Sequence, residues 1–201
     1  MNLLDSAGAI VDRQCGLHVH WGVGDWDLTK FKNLYKWYAK FEQAIDSIVS
    51  PSRRGNRSQW ATGYSGNAVI DHSSITHFFN MLDGARDIYQ LRRFVGSIGS
   101  GYARYRKLNM EAFWGHSTIE FRQHQGTLSA DKAEHWIRLT GGMIQSVDNG
   151  MSQRKWTEAG DQSEYTVQYK LGYMMERLLR AKFIPASTSR FLKKRQIALA
   201  S

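Results

Sequence analysis

The sequence is poor in several features that mark particular protein classes. Cys15 is the only cysteine among 201 residues, which excludes an internal disulfide and a cysteine-rich zinc site. There are only two prolines, no stretch of low complexity and no apolar run long enough to span a bilayer. The first residues carry neither a basic segment nor a long apolar core, so they do not resemble a secretory signal. We therefore expect a globular protein of a reducing cytoplasm, without a membrane partner.

Acidic residues are also in the minority. Lysine and arginine total 27 against 18 acidic residues, giving a formal net charge of +9. Such an excess favours an anionic partner: nucleotide phosphates, a carboxylate substrate or nucleic acid. The longest basic run, at 193–195, is equally compatible with a solvated tail, and no nucleic-acid-binding motif accompanies it. We predict one domain at 1–184 and a basic, mobile tail at 185–201.

Hydrophobic periodicity predicts an α+β fold. Alternation predicts a strand at 15–23, a clearer one at 117–124 and a weak one at 102–110. A helical pattern of apolar residues occurs at 28–49, capped by Asp27 or Thr29, at 73–95 in two pieces, after a Ser129 cap to 147, and at 165–182. A long polar loop is expected at 52–66 and another at 148–163. Helices would cover one side of an antiparallel sheet and leave the other side as a site.

Both clear strands carry ionisable residues on the face away from the core. His18 and His20 lie two apart, and Glu120, Arg122 and His124 alternate in the same way, so each set projects in one direction. If the strands share a sheet, five ionisable groups meet on one surface. A carboxylate with imidazoles suits a divalent metal, and an arginine suits phosphate or carboxylate.

Simpler explanations of the same patterns remain open. A short His-X-His motif often marks only the solvent-exposed face of a strand, and Glu120 and Arg122 could simply pair with each other. The combination on two strands favours the functional interpretation. The other histidines show no comparable grouping: His72, His77, His116 and His135.

These segments resemble the amidoligase family. CGLHVH at 15–20 resembles one strand of that family, SRRGN at 52–56 its loop after the next helix, and the Lys107-Leu108-Asn109 segment a later strand. TIEFRQHQGTL at 118–128 is close to the family signature and is long enough to be specific. The order and approximate spacing agree from about residue 7 to about residue 145.

The resemblance implies a glutamine-synthetase-like fold, in which a curved antiparallel sheet holds Mg²⁺ and ATP on its concave face. It implies ATP-dependent ligation, in which a carboxylate is phosphorylated and an amine displaces the phosphate to give an amide or isopeptide bond. The substrates would be small molecules, peptides or proteins. The resemblance implies that His18, His20 and Glu120 bind the metal and nucleotide. It implies that Arg122 stabilises phosphate charge, so that Glu120 and Arg122 form the catalytic pair. It further implies that Arg53 and Arg54 bind a phosphate or the substrate carboxylate, and that Asn109, His124 and Thr127 line or support the cleft.

The chain departs from the family pattern in one respect. The family begins with a strand that carries Glu-X-Glu, which supplies further metal ligands. No Glu-X-Glu occurs in this sequence, and the residues before Cys15 favour a helix. We therefore expect an N-terminally shortened domain, a fragment of a longer protein, or a partner chain that completes the sheet, with association of copies as one route. The alternative is a non-catalytic binding or structural protein that retains the fold. Such a protein would contact a larger assembly or nucleic acid, and of these partners nucleic acid is not favoured.

Overall fold

A small antiparallel sheet lies against a layer of helices. The computed structural model describes residues 3–55, 57–64, 75–97, 102–151 and 167–200. Its three strands are β1 (Gly16–Gly22), β2 (Leu108–Asn109) and β3 (Thr118–Gln125). They follow the order β1-β3-β2, and β3 is antiparallel to both neighbours. The mixed helix-and-sheet class is confirmed, and the sheet is open.

Helices account for more than half of the residues that the structure describes. They are α1 (Leu3–Ser6), α2 (Leu28–Asp46), α3 (Ile75–Gly84), α4 (Ile88–Ser97), α5 (Ala112–His116), α6 (Ala130–Asp148), α7 (Val167–Arg180) and α8 (Ala186–Ala200). Short 3₁₀ turns span Pro51–Arg53 and Ala103–Tyr105. The two clear strands and the predicted helical segments after Asp27 are thus confirmed within the described ranges, whereas the helix expected before Cys15 is limited to Leu3–Ser6. Predictions for 65–66, 73–74, 98–101, 152–163 and 165–166 lie outside those ranges.

Two helix starts are fixed by side chains that accept a backbone hydrogen bond. Asp27, and not Thr29, caps α2 by accepting from Lys30 N at 2.8 Å. Ser129 caps α6 by accepting from Lys132 N at 3.3 Å. Each bond satisfies an amide that has no partner inside the helix. Both long helices therefore begin where the sequence predicts.

The hydrophobic core lies between α2 and the inner face of the sheet. Fully buried side chains of α2 form much of it, among them Phe31 and Tyr38, and the Tyr38 ring lies 6.2 Å from that of Phe121 on β3. Helix α6 packs on β1, where Trp21 Nε1 donates to Thr140 Oγ1 at 3.0 Å. These helices cover one face of the sheet, and the opposite face carries the alternating polar residues of β1 and β3. No helix among the described residues is long and apolar enough to cross a membrane.

The predicted strand at 102–110 is mostly wrong. Only Leu108–Asn109 pairs with β3, while residues 103–105 form a 3₁₀ turn. The backbone before β2 pairs with the loop after α2 instead: Thr62 N donates to Tyr105 O at 2.8 Å, and Lys107 N donates to Thr62 O at 2.9 Å. The long polar side chains of this segment are buried beside apolar ones, so it lacks the alternation of a half-exposed strand.

The mobile tail predicted after Pro185 is also wrong, because residues 186–200 form helix α8. Leu192 is buried against the core, and Arg195 Nε donates to Ile48 O at 2.6 Å. Pro185 lies immediately before the helix, where its missing amide hydrogen breaks no helical hydrogen bond. Its carbonyl accepts from Thr188 N at 3.0 Å. The basic residues of this segment therefore occupy one side of a packed helix and do not form a solvated tail.

Candidate functional site

The polar face of the sheet is centred on the carboxylate of Glu120. Its Oε1 accepts from Arg122 Nη1 at 2.8 Å and lies 2.9 Å from His18 Nδ1 and 3.4 Å from His20 Nε2. Its Oε2 accepts from Asn109 Nδ2 at 2.7 Å. The pairing of His20 with Glu120 across β1 and β3, and of Asn109 with Glu120 across β2 and β3, brings these side chains together. The structure thus joins five of the predicted site residues.

This carboxylate is held in its ionised form. Burial alone would raise the pKa of Glu120, but hydrogen bonds from His18 and Asn109 and the charge of Arg122 lower it to about 2. A group with so low a pKa does not release or take up a proton near neutral pH. Glu120 therefore acts as a fixed negative charge, which can orient cationic donors or bind a positively charged group.

His124 does not join this face, contrary to the predicted alternation. Leu17 pairs with His124 and Val19 with Phe121, so one residue of β1 faces two of β3 and the strand contains a bulge. The bulge turns His124 to the helix side, where its ring lies 5.2 Å from that of Trp136. Burial, chiefly, lowers the pKa of His124 to about 4. At neutral pH this histidine is an uncharged packing residue on the opposite side of the sheet.

The other predicted binding residues lie at the margins. Arg53 is buried, and its Nη2 donates to Cys15 O at 2.8 Å. A Cβ built at Gly16 would lie 2.8 Å from His18 Nε2 and 3.5 Å from Arg53 Nη2, so Arg53 lies beside the cluster. Burial and the nearby charge of Arg122 lower the pKa of Arg53. Arg54 Nη2 donates to Leu199 O at the end of α8, and Thr127 Oγ1 accepts from Ser129 N in the turn before α6. Neither of the last two contacts the Glu120 cluster, and their predicted binding roles stay predictions.

A cleft of about 660 Å³ opens over the Glu120 cluster. Sequence reasoning misses several of the residues that line it: Tyr102, Arg104, Glu111 and His116. His116 shows no grouping in the sequence, yet its ring centroid lies 6.3 Å from that of His20. The signal for His116 is its position two residues before β3, because the start of β3 lies opposite the end of β1, near His20.

Arg122 is held in place from several directions. Its backbone N donates to Lys107 O at 2.7 Å, its Nε donates to Trp60 O at 3.5 Å, and its guanidinium carbon lies 5.8 Å from the centre of the Tyr105 ring. These contacts, together with Glu120, leave the side chain little freedom. A guanidinium fixed in this way can bind an anionic oxygen without first losing conformational entropy.

A fully buried ion cluster supports this side of the sheet from below. Lys107 Nζ donates to Glu42 Oε1 at 3.0 Å and to Asp46 Oδ1 at 2.6 Å. Gln123 Nε2 also donates to Asp46, and Tyr38 donates to Gln123. The backbone carbonyl of Lys107 accepts from Arg122 N, and Gln123 is the next residue of β3. The cluster therefore connects helix α2 to the residues that position Arg122.

The donor set does not fit a complete magnesium site. Within the described ranges, no three His, Cys, Asp or Glu side chains are placed to hold a metal ion. Mg²⁺ prefers six oxygen ligands, whereas the predicted set offers two imidazoles and a carboxylate already engaged by Arg122 and Asn109. The assignment of His18, His20 and Glu120 as metal ligands stays a prediction.

Comparison with known proteins shows the family. Residues 1–144 match the family described as "Putative amidoligase enzyme". The match includes β1, β2, β3 and every residue of the Glu120 cluster, and it covers well over half of the chain. The chain therefore belongs to this amidoligase family. No curated protein and no solved structure shows a significant match.

Proposed function

We propose that this chain is an ATP-dependent carboxylate–amine ligase, with the Glu120 cluster as its reaction centre. ATP would phosphorylate a substrate carboxylate to give an acyl-phosphate, and an amine would then displace the phosphate to form an amide or isopeptide bond, leaving ADP and phosphate. Family membership supports a ligase of carboxylate and amine substrates. The observation that carries the proposal is a buried, ionised carboxylate surrounded by hydrogen-bond donors, among them the cation Arg122, at the base of a cleft.

The cationic side of the cleft suits the two anionic reactants. Arg122 projects into it, and Arg104, His20 and His116 line its walls. Phosphoryl transfer depends mainly on positioning and on donors that stabilise charge on the transferred oxygens. Arg122, which is fixed by Glu120 and by its backbone contacts, is the donor best placed for this role. The imidazoles of His18 and His20 would add donors on the β1 side.

The carboxylate of Glu120 suits the amine. An amine arrives at neutral pH largely as an ammonium ion, which a fixed negative charge attracts and aligns. Because Glu120 stays ionised, the ammonium ion loses its proton to solvent or to a phosphate oxygen before the amine attacks. Asn109 keeps the second carboxylate oxygen oriented through its 2.7 Å hydrogen bond. A site that presents both signs of charge within a few ångströms is appropriate for joining an acid to an amine.

We propose that the three strands are part of a glutamine-synthetase-like sheet. Magnesium would neutralise the phosphates of ATP when bound, but the described residues do not supply its ligand set, and no step of the scheme depends on it. The residues that act in this scheme are Arg122, Glu120 and the two histidines of β1.

Isothermal titration calorimetry with ATP, in the presence and absence of Mg²⁺, tests the site before any substrate is known. Glu120→Gln keeps the size of the side chain and removes its charge. We expect the native chain to bind ATP, and this variant to lose that binding together with ATP turnover; the difference between the two metal conditions measures what Mg²⁺ adds. The matched control is Glu134→Gln, because Glu134 lies on α6 and pairs only at the surface with Arg138.

Equal ATP binding and turnover by Glu120→Gln and the native chain would remove this cluster from the mechanism. If the folded native chain binds no nucleotide at all, the ligase proposal fails. The non-catalytic alternative would then explain the family match.

A further inference from the structure

A segment outside the family match, residues 167–200, carries a concentrated positive charge away from the proposed site. Residues 167–200 contain eight lysines and arginines and one acidic residue, Glu176, against a net charge of +9 for the entire chain. Glu176 is already paired, since Arg180 Nη2 lies 2.5 Å from its Oε1. The family match ends at residue 144. The ligase chemistry therefore gives no account of this concentration of charge.

Helix α8 divides this segment into an inner and an outer face. Thr188, Leu192 and Gln196 are buried against the rest of the fold. Three cations, Arg190, Lys193 and Lys194, are exposed at positions separated by three and four residues and so share one side of the helix. We call this side the α8 basic face. Within the described part of the chain, no carboxylate lies within ion-pair distance of its three cations.

Further positive charge lies beneath the basic face. Arg54 Nη2 donates to Leu199 O at the end of α8, and Arg195 Nε donates to Ile48 O. Burial and the charge of Arg54 lower the pKa of Arg195, so these two cations lie close together. The fold thus adds half-buried arginines to the exposed ones, which strengthens the positive potential on this side of the molecule.

We propose that the α8 basic face docks on the phosphate backbone of a nucleic-acid duplex. A bilayer surface is a poorer partner, because three cations alone attract anionic lipid weakly and stable binding needs a buried apolar face as well. The apolar side chains of α8 turn inward, and Ile197 is its one strongly exposed large apolar residue. A protein interface is normally built on a core of aromatic and apolar residues, which this face lacks.

The same face argues for a duplex over a single strand. Proteins that bind single strands stack the bases on exposed aromatic rings. The aromatic residue of α8, Phe191, packs its ring 4.2 Å from that of His135 and faces the fold. Regularly spaced cations without a stacking surface match a continuous phosphate backbone. Binding of this kind does not depend on base sequence, and it weakens with salt as counterions are retained.

Fluorescence anisotropy with a labelled DNA duplex of about 20 base pairs tests the proposal between roughly 50 and 200 mM salt. The test variant replaces Arg190, Lys193 and Lys194 together with Gln; all three are exposed, so the fold should persist, as circular dichroism would show. The matched control removes the same charge from exposed positions on other elements by replacing Arg86, Arg93 and Arg138 with Gln.

We expect the native chain to bind the duplex with a steep salt dependence. Three lost phosphate contacts should make the slope of log K against log salt shallower by about 2.7, and lower the affinity on the order of tenfold or more at low salt. The control variant should lose much less. This result does not depend on the ligase proposal, because neither variant touches the Glu120 cluster.

Three outcomes would overturn the proposal. The first is absence of duplex binding at about 50 mM salt, and the second is an equal loss in test and control variants, which would indicate a general effect of net charge. The third is a preference for a single strand of the same sequence, or for vesicles of anionic phospholipid, over the duplex.

Discussion

Replacing Lys107 with Met should destabilise the fold strongly, because it leaves two buried carboxylates without their cation. Lys107 Nζ is fully buried between Glu42 Oε1, at 3.0 Å, and Asp46 Oδ1, at 2.6 Å. Burial by itself would lower the pKa of Lys107, but the two carboxylates outweigh it and raise the pKa. The lysine is therefore charged in the folded protein, and the cluster depends on that charge.

The size of the effect follows from what remains after the substitution. Breaking a buried ion pair by removing one partner typically costs about 3–5 kcal/mol. Glu42 still accepts from Tyr64 N at 2.9 Å, and Asp46 still accepts from Gly55 N at 2.7 Å. Because these neutral donors compensate in part, we expect a loss of about 3–4 kcal/mol in the free energy of unfolding. Urea unfolding at neutral pH, followed by tryptophan fluorescence and circular dichroism, measures it.

Two further variants separate charge from packing. Lys30→Met removes an exposed pair with Asp148 and should leave the urea midpoint almost unchanged. The combination of Lys107→Met with Glu42→Gln and Asp46→Asn leaves no net charge in the buried cluster and should recover much of the lost stability. If Lys107→Met behaved like Lys30→Met, the reasoning about the buried cluster would be wrong. If the triple variant were no better than the single one, lost packing and not charge would be the cause.

Two other predictions concern histidines on opposite faces of the sheet. The pKa of His124 is lowered to about 4 in the folded protein, so His124 takes up a proton in the unfolded chain first as the pH falls. The free energy of unfolding should therefore keep its full value above about pH 6.5 and decline by about 3 kcal/mol toward pH 4. Urea titrations across that window should show the decline in the native chain and a flatter profile in His124→Gln; parallel profiles would contradict the assignment. A Cβ at Gly16 would come within 2.8 Å of His18 Nε2, so Gly16→Ala should move that ring and weaken ATP binding roughly tenfold. Gly22→Ala meets nothing within 4 Å and is the control in the same calorimetric assay; equal affinities would show that the placement of His18 does not matter.

The central part of the site is predictable because it depends on a local rule. Side chains two apart on a strand share a face, so the order of residues alone groups His18 with His20 and Glu120 with Arg122. The remaining step, that both strands belong to one sheet, is supported by the family resemblance. The structure joins all four with Asn109, which the resemblance also assigns to the cleft and whose strand is only two residues long.

The prediction for His124 is wrong for a physical reason that the sequence does not reveal. The alternation rule holds only while two strands keep the same count of residues, and the bulge opposite His18 adds one to β3. From that point His124 points to the helices. Nothing in the letters TIEFRQHQ distinguishes a regular strand from a bulged one, because Gln123 and His124 are both polar, yet both are buried.

Buried polar residues are the other feature that sequence reasoning misses. Lys107, Glu42 and Asp46 each suggest a solvated surface when read singly, yet together they form a satisfied cluster beneath the site. Glu42 and Asp46 lie on one face of α2, four residues apart, which identifies a possible pair but not its partner about 60 residues later in the chain. Their burial depends on tertiary contacts, so it can be found only once α2 and β2 are placed in space.

The Glu120 cluster and the buried Lys107 cluster together explain why this sheet can hold charge on both faces. On the outer face a single carboxylate is surrounded by donors, which leaves its ionisation fixed and the cleft open to reactants of either sign. On the inner face two carboxylates share one lysine, and the backbone carbonyl of that same residue binds the amide of Arg122. A disturbance of the inner cluster should therefore reach the outer one through Arg122. The stability measured for Lys107→Met and the ATP affinity of the same variant should fall together, whereas a loss of stability with full affinity would show that the two clusters are independent.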